Sequence, residues 1–257
     1  TFDMADFEID SKIVKQFNKT AESYSKDIIF SQGIDLEIIL TEVNADHKMT
    51  VLDVATGAGH VAMKIAPFVK SVNAIDITPK MIEILKQNIQ YKNIKNIVAE
   101  IMPADNLEFK EDTFDVITCR FATHHFTNVK KFLSEIKRVL KPNGKLILVD
   151  IIAPETKSMN NFVNHINKLR DNSHVKQCSE AEWESIFVEL NFNILNKQNN
   201  PLTHDLDSWF ARAKTSNENM EKIVDAFNSS SEAKIQFQFD SKIKSFVEES
   251  MIFTLHI

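Results

Sequence analysis

Two glycines one residue apart, Gly57 and Gly59, follow the short β-branched run Thr50-Val51-Leu52-Asp53-Val54. Only four glycines occur in 257 residues, where an average usage of about 7% would give roughly eighteen. A chain this sparing with glycine keeps it where the backbone needs a conformation or a close approach that a Cβ forbids. A helical run over 61–69 leads to a second strand, Val72-Asn73-Ala74-Ile75-Asp76, which closes on an acid. Strand, glycine turn, helix, strand and terminal carboxylate make a cradle for a ribose-bearing ligand. The glycines admit it to the main chain, and Asp76 accepts from its hydroxyls.

The alternation continues. Thr78-Pro79 opens a helix with threonine expected as N-cap and proline at the first helical position. Strands are expected over 97–102 and 113–119. A helix carrying Val129, Phe132, Leu133, Ile136, Val139 and Leu140 stops at Lys141-Pro142-Asn143-Gly144. Lys145 to Asp150 reads as a strand buried on both faces of a parallel sheet. The spacing predicts an α/β fold, a doubly wound, Rossmann-like sheet of seven strands, mainly parallel.

Upstream, 10–27 and 34–43 read as helices, the first with Ile13, Val14, Phe17, Ala21 and Tyr24 on one face. Downstream, a helix is expected over 155–169 and a capping box at Ser179-Glu180-Ala181-Glu182. A strand over 192–195, helices over 206–213 and 217–227, and a polar loop over 228–231 follow. Alternating Met251, Phe253, Leu255 and Ile257 predict an antiparallel last strand. One domain over 1–257 is expected: a helical lid at 1–47, a ligand-binding core at 48–152, and a lid insertion with sheet completion at 153–257.

Charge narrows the function. Thirty Lys and Arg against 36 Asp and Glu leave a formal charge of −6, with arginine only at 120, 138, 170 and 212. A nucleic-acid binder needs a dense cationic face, so nucleic acid is not an expected partner. Two cysteines make no disulfide framework. The most apolar run, 146–154, falls far short of the roughly 20 residues of a membrane span. No secretory signal is visible in Thr1 to Asp6, so a cytoplasmic protein is expected; a first residue other than Met suggests a trimmed or processed end.

Two ligands compete for the cradle. Gly57-Ala58-Gly59-His60-Val61-Ala62 satisfies the dinucleotide fingerprint, so NAD is one. Asp53 opposes it: at the mouth of the first strand, with no arginine or lysine expected nearby, it would repel a pyrophosphate. S-adenosyl-L-methionine carries a sulfonium, an α-amine and a ribose but no phosphate, and suits the same carboxylate.

Val51-Leu52-Asp53-Val54-Ala55-Thr56-Gly57-Ala58-Gly59 resembles motif I of class I S-adenosylmethionine-dependent methyltransferases. Ala74 to Met81 resembles their second motif, Pro103-Ala104-Asp105-Asn106-Leu107 the acidic loop after strand three, Phe114 to Ile117 the fourth strand, and Leu140 to Leu146 the turn before strand five. The resemblance spans about Lys48 to Ile152 and is greatest to the small-molecule branch with ubiquinone/menaquinone-type C-methyltransferases. Arg120 to Phe126, Ser173-His174 and Ser179 to Trp183 resemble an uncharacterised bacterial subset. The resemblance implies a cofactor shell of Asp53, Gly57 and Gly59 at the methionine end, Asp76 on the ribose, Ile77 against the adenine, and Asp105 at the adenine amino group with Asn106 beside it. It also implies Ala55, Met81 and Ala104 in that shell, Arg120 and Phe121 beneath the sulfonium, and Tyr24 over the methionine carboxylate. Ala55 stands where many relatives carry glycine, so a more crowded loop is expected.

Methyl transfer is an in-line displacement, and a base is needed only if the acceptor must lose a proton. His125 and His124, after strand four, are the candidates. The competing reading is that one packs and the other caps the helix near Asn128. His174 is a further candidate for the pocket. The histidines are expected to be scattered, with no metal site. Phe121, Phe126, Phe162 and Trp209 are candidates for an apolar acceptor pocket. An Asn/Asp-Pro-Pro-aromatic segment after strand four, usual in nucleic-acid amino-methyltransferases, is replaced by Arg120-Phe121-Ala122-Thr123. A small-molecule acceptor is therefore expected, beneath a lid of 10–27 and 155–174. The alternatives are an NAD(P)-dependent oxidoreductase and an S-adenosylmethionine-binding protein that transfers no methyl group.

Overall fold

The computed structural model describes residues 4–27 and 31–257. Residues 1–3 of the opening stretch and 28–30 of the expected lid lie outside the described residues. Strand β1 (Thr50–Val54) is buried from Val51 onward because helices cover both sides of the sheet. It lies parallel between β2 (Ser71–Asp76) and β4 (Phe114–Arg120), with Asp53 in register with Ala74 and Thr118. β3 (Ile97–Ile101) extends the sheet beyond β2, and β5 (Leu140–Ile151) pairs in parallel with β4. The last strand, β9 (Ser250–His256), runs antiparallel to β5 and to β6 (Asn193–Asn199), giving the seven-stranded order β3-β2-β1-β4-β5-β9-β6.

Helices α2 (Asp35–Val43), α3 (His60–Ile65) and α4 (Pro79–Tyr91) pack Ile39, Ile65, Ile82 and Leu85 on one face. On the other, α5 (Val129–Val139) and α7 (Glu180–Glu189) bring Phe132, Leu133, Trp183 and Phe187 against Leu52, Ile117 and Leu146. A separate apolar cluster ties α6 (Lys157–Arg170), α8 (Leu206–Ala213), α9 (Asn217–Ser229) and α10 (Ser231–Gln236) together around Trp209, Phe227 and Phe246. Helix α1 (Met4–Lys26) reaches from α4, where Asn18 accepts from the Lys80 amide, to α8, where Gln16 donates to the Ala213 carbonyl.

Several local expectations change. Thr78 takes the N-cap position without a side-chain cap bond. Its backbone N–H donates instead to Asp76 Oδ1 at 2.8 Å. The helix after the glycines ends at Ile65 and tightens into a 3₁₀ turn, Ala66–Phe68, where Pro67 removes a donor. The polar loop at 228–231 shrinks to Ser230, whose hydroxyl caps α10. The last strand is buried on both faces from Ser250 through Leu255, because β5 and β6 flank it and helices cover it. A two-stranded sheet, β7 (Leu202–Asp205) with β8 (Ser245–Glu248), was not anticipated. The Ser179 capping box forms as expected. No described helix is long and apolar enough to cross a membrane.

Candidate functional site

One cavity runs along the carboxyl ends of the parallel strands, from the loop after β3 to β8, beneath α1 and α6. Its first half is made largely of backbone. Gly57 has φ 55°, and a Cβ built there would meet no heavy atom within 4 Å. The space beside it is thus open to a ligand. Gly57 N–H donates to Asp76 Oδ2 at 2.9 Å, so one carboxylate fixes both the glycine loop and, through Thr78, the start of α4. Burial raises the Asp76 pKa against these N–H donors, while each oxygen keeps a lone pair for a further hydroxyl. Gly59 does not line the cavity. It has φ 85°, and a Cβ there would come within 2.2 Å of Leu85 Cδ1. Gly59 therefore serves the packing of α3 on α4, a correction to its expected place at the methionine end. Ala55 adopts φ 52°, a left-handed conformation that favours glycine.

Asp53 is buried and lines the cavity. Thr118 donates to its Oδ1 at 2.6 Å and Thr56 to its Oδ2 at 2.5 Å. Burial pushes its pKa up to about 6, opposed by those two hydroxyls, the Ala62 amide and Arg120. The premise that no arginine stands near Asp53 is thus corrected, since Arg120 comes close enough to act on it. That guanidinium is ion-paired in the interior with Asp35 of α2, so its charge is balanced locally. Arg120 also lies 4.9 Å over the ring of Phe121, itself at φ 51°, a strained value for a bulky residue facing a cavity. Ile77, Met81, Ala104 and Asp105 line the far wall, where Lys131 pairs with Asp105 at 2.9 Å. Asn106 is exposed and does not line the cavity. The turn after Asp105 directs its backbone inward instead, where the Leu107 amide donates to Glu135.

The second half is made of side chains. His124 and His125 occupy a 3₁₀ turn after β4, with ring centroids 4.2 Å apart. His124 Nδ1 lies 2.6 Å from Asp150 Oδ1 at the end of β5, and Asp150 also accepts from the Thr123 hydroxyl and the His124 amide. Burial alone would depress His124, but the Asp150 carboxylate outweighs it and holds the imidazole above its ordinary value. His125 is driven the other way, to about 4, by burial and by the charge of His124. Its Nδ1 lies 3.1 Å from Ser173 Oγ, which donates to Asp171 Oδ1 at 2.6 Å. Neither histidine caps α5; Asn128 does so, accepting from the Lys131 amide. His174 stands 5.7 Å from His124, because the amides of Val175 and Lys176 bond the His124 carbonyl. The histidines expected to scatter thus include three that converge. Among the described residues, no cluster of three His, Cys, Asp or Glu could hold a metal ion.

Tyr24 reaches the cavity from α1, and its hydroxyl accepts from Arg170 at 3.2 Å. Phe121, Phe126 and Trp209 line the cavity; Phe162 does not, being packed on Phe227 and Phe237 beneath the lid. The expected aromatic lining thus loses Phe162, and a buried polar network joins the remaining aromatics in the cavity wall. Asn167 and neutral His204 donate to the buried Glu248, and Arg212 donates to Asp27 and lies 3.4 Å from His204 Nδ1. Burial lowers the His204 pKa. The tautomer with Nε2–H toward Glu248 and Nδ1 toward Arg212 satisfies both partners. This network escaped sequence reasoning, as did Thr118, Asp171 and the cavity-facing His60. Among the described residues, His60 Nε2 is buried without a hydrogen-bond partner.

A Rossmann-like sheet with one antiparallel strand and a glycine–carboxylate cradle at its carboxyl edge is the fold of a methyltransferase. The family model described as a methyltransferase domain matches residues 45–224, and the chain belongs to that family. It is 38% identical over 220 residues to the uncharacterized methyltransferase YcgJ of Bacillus subtilis, covering 84% of this chain and 85% of that protein. The crystal structure of YcgJ superposes with a TM-score of 0.80 at 34% identity, covering 86% of this chain and 97% of that one. A demethylmenaquinone methyltransferase of Thermotoga maritima is 35% identical over 155 residues, 56% of this chain and 63% of its own length. The protein is an S-adenosylmethionine-dependent methyltransferase, which sets the nicotinamide oxidoreductase aside.

Proposed function

We propose that this chain moves the methyl group of S-adenosylmethionine to a small-molecule acceptor held between α1 and α6, with His124 taking the acceptor's proton. The observation that carries the reading is one continuous cavity with the Asp76–Gly57 cradle at one end and the His124–Asp150 pair farther along it. The residues present fit the donor. Gly57 leaves open space beside the loop, Asp76 has lone pairs for ribose hydroxyls, and Asp53 ionises above about pH 6 to face a positive charge.

S-adenosylmethionine supplies a methyl group on a cationic sulfur that departs as a neutral thioether. What the chain adds is position: holding reactants in line is worth effective molarities of roughly 10⁵–10⁸ M. Asp76, Ile77, Met81, Ala104 and Asp105 bind and orient the nucleoside end; Asp53 and the loop of Ala55 and Gly57 orient the sulfur end. Helix α1, through Phe17 and Tyr24, excludes water. His124 Nε2 would take the acceptor's proton as the acceptor is methylated. Asp150 holds the imidazole so that Nδ1 keeps its hydrogen and Nε2 is the basic nitrogen. His125 is neutral near pH 7 and serves as packing beside it.

Turnover with a radiolabelled methyl donor and a fractionated small-metabolite extract tests this. Label passing to a small acceptor supports it. Donor binding without transfer to any fraction would identify a binding protein instead.

A further inference from the structure

Among the described residues, Arg170 is a cavity-lining guanidinium without a carboxylate partner. Arg170 ends α6, donates through Nε to the Trp209 carbonyl at 2.9 Å and through Nη2 to Tyr24, and lies 4.8 Å over the Trp209 ring. Among the described residues, no carboxylate lies within ion-pair distance of it, although it lines the cavity. The nearby acids are engaged elsewhere: Glu248 by His204 and Asn167, Asp27 by Arg212, and Asp171 by Ser173 through Oδ1. Among the described residues Asp171 Oδ2 is buried without a hydrogen-bond partner, and Asp171 interacts electrostatically with His125 more than with Arg170.

Position separates Arg170 from the donor's own carboxylate. Arg120 acts on both Asp53 and His60, beside the glycine loop, and Lys92 acts on His60 as well. Arg170 acts instead on Tyr24, Asp171, Glu248, His204 and Arg212. His204 and Glu248 belong to the separate β7–β8 pair, not to the seven-stranded sheet that carries the glycine cradle.

On the methyl-transfer reading above, we infer that the acceptor carries an oxyanion, a carboxylate or a phosphate monoester, that docks on the fork of Arg170. The guanidinium offers a planar pair of donors suited to either group, and stacking on Trp209 holds that plane. Asn167, His204, Arg212 and Glu248 line the same cavity, beside Phe17, Leu202 and Trp209.

Equilibrium binding to the protein loaded with S-adenosylhomocysteine tests the inference, with benzoate, phenyl phosphate and benzyl alcohol as probes. At least one acid is expected to bind about tenfold or more tightly than the alcohol, and the tighter acid identifies the source of the oxyanion. Arg170→Gln is expected to abolish that preference and Arg170→Lys to keep part of it, with affinity for S-adenosylhomocysteine unchanged in both. An undiminished preference in Arg170→Gln, or no acid preference in the wild-type protein, would overturn the inference. So would weakened S-adenosylhomocysteine binding in both variants, since the guanidinium would then serve the donor. Failure of the wild-type protein to bind S-adenosylhomocysteine would instead remove the donor reading beneath it.

Discussion

The two halves of the cavity are built in opposite ways. The donor half rests on main-chain atoms: the Gly57 and Thr78 amides converge on Asp76, and the loop of Ala55 and Gly57 runs at positive φ. The acceptor half has its polar groups on side chains contributed by α1, the turn after β4, α6 and the segment after it, β7, α8 and β8. A backbone cradle keeps its shape through many substitutions but recognises little beyond a shared ligand. A side-chain floor can be respecified residue by residue. One fold thereby keeps its donor and varies its acceptor.

The largest expected effect lies in the acceptor half. His124→Gln should lower kcat by about 10²–10⁴ while leaving the S-adenosylhomocysteine Kd unchanged. In the wild-type protein, kcat should climb as pH rises through the His124 pKa, which Asp150 holds above its ordinary value, since only neutral imidazole accepts a proton. A kcat loss matched by weaker donor binding would blur the two halves.

Gly59→Ala should cost about 1–3 kcal/mol in denaturant unfolding, through its positive φ and the Leu85 contact. Asp53 should give a smaller effect. Its carboxylate loses charge as pH falls through about 6. The preference for the sulfonium donor over the thioether product should therefore drop by roughly three- to tenfold between pH 7 and 5, as read by paired titrations. A constant ratio would remove Asp53 from the sulfur end. Ala55→Gly should be smallest, within about 0.5 kcal/mol by the same unfolding measurement, because relief at φ 52° offsets the greater freedom of glycine in the unfolded chain.

The same contrast explains what could be read without coordinates. Asp53, Gly57 and Asp76 lie within twenty-four residues, and their spacing follows from one strand–turn–helix–strand unit, so pattern alone places them together. The sheet was legible for a similar reason: Val51 to Val54 and Leu146 to Val149 are apolar runs whose only stable place is a covered interior. Arg170, His204, Arg212 and Glu248 meet through tertiary packing of segments with no shared period, and nothing local marks them. Gly59 was misplaced because a glycine needed for helix packing reads like one needed for a ligand. Asn106 was misplaced because an acidic loop does not reveal which side chains turn outward. Phe162 was assigned to the acceptor pocket on residue type, whereas the lid has its own core.

Calorimetric titration of S-adenosylhomocysteine into the wild-type protein, Asp76→Ala and His124→Gln side by side tests the division most directly. The expected result is a loss of about tenfold or more in Asp76→Ala, with His124→Gln indistinguishable from wild type. Equal losses in both variants, or full affinity in Asp76→Ala, would contradict a donor cradle that stands apart from the acceptor floor.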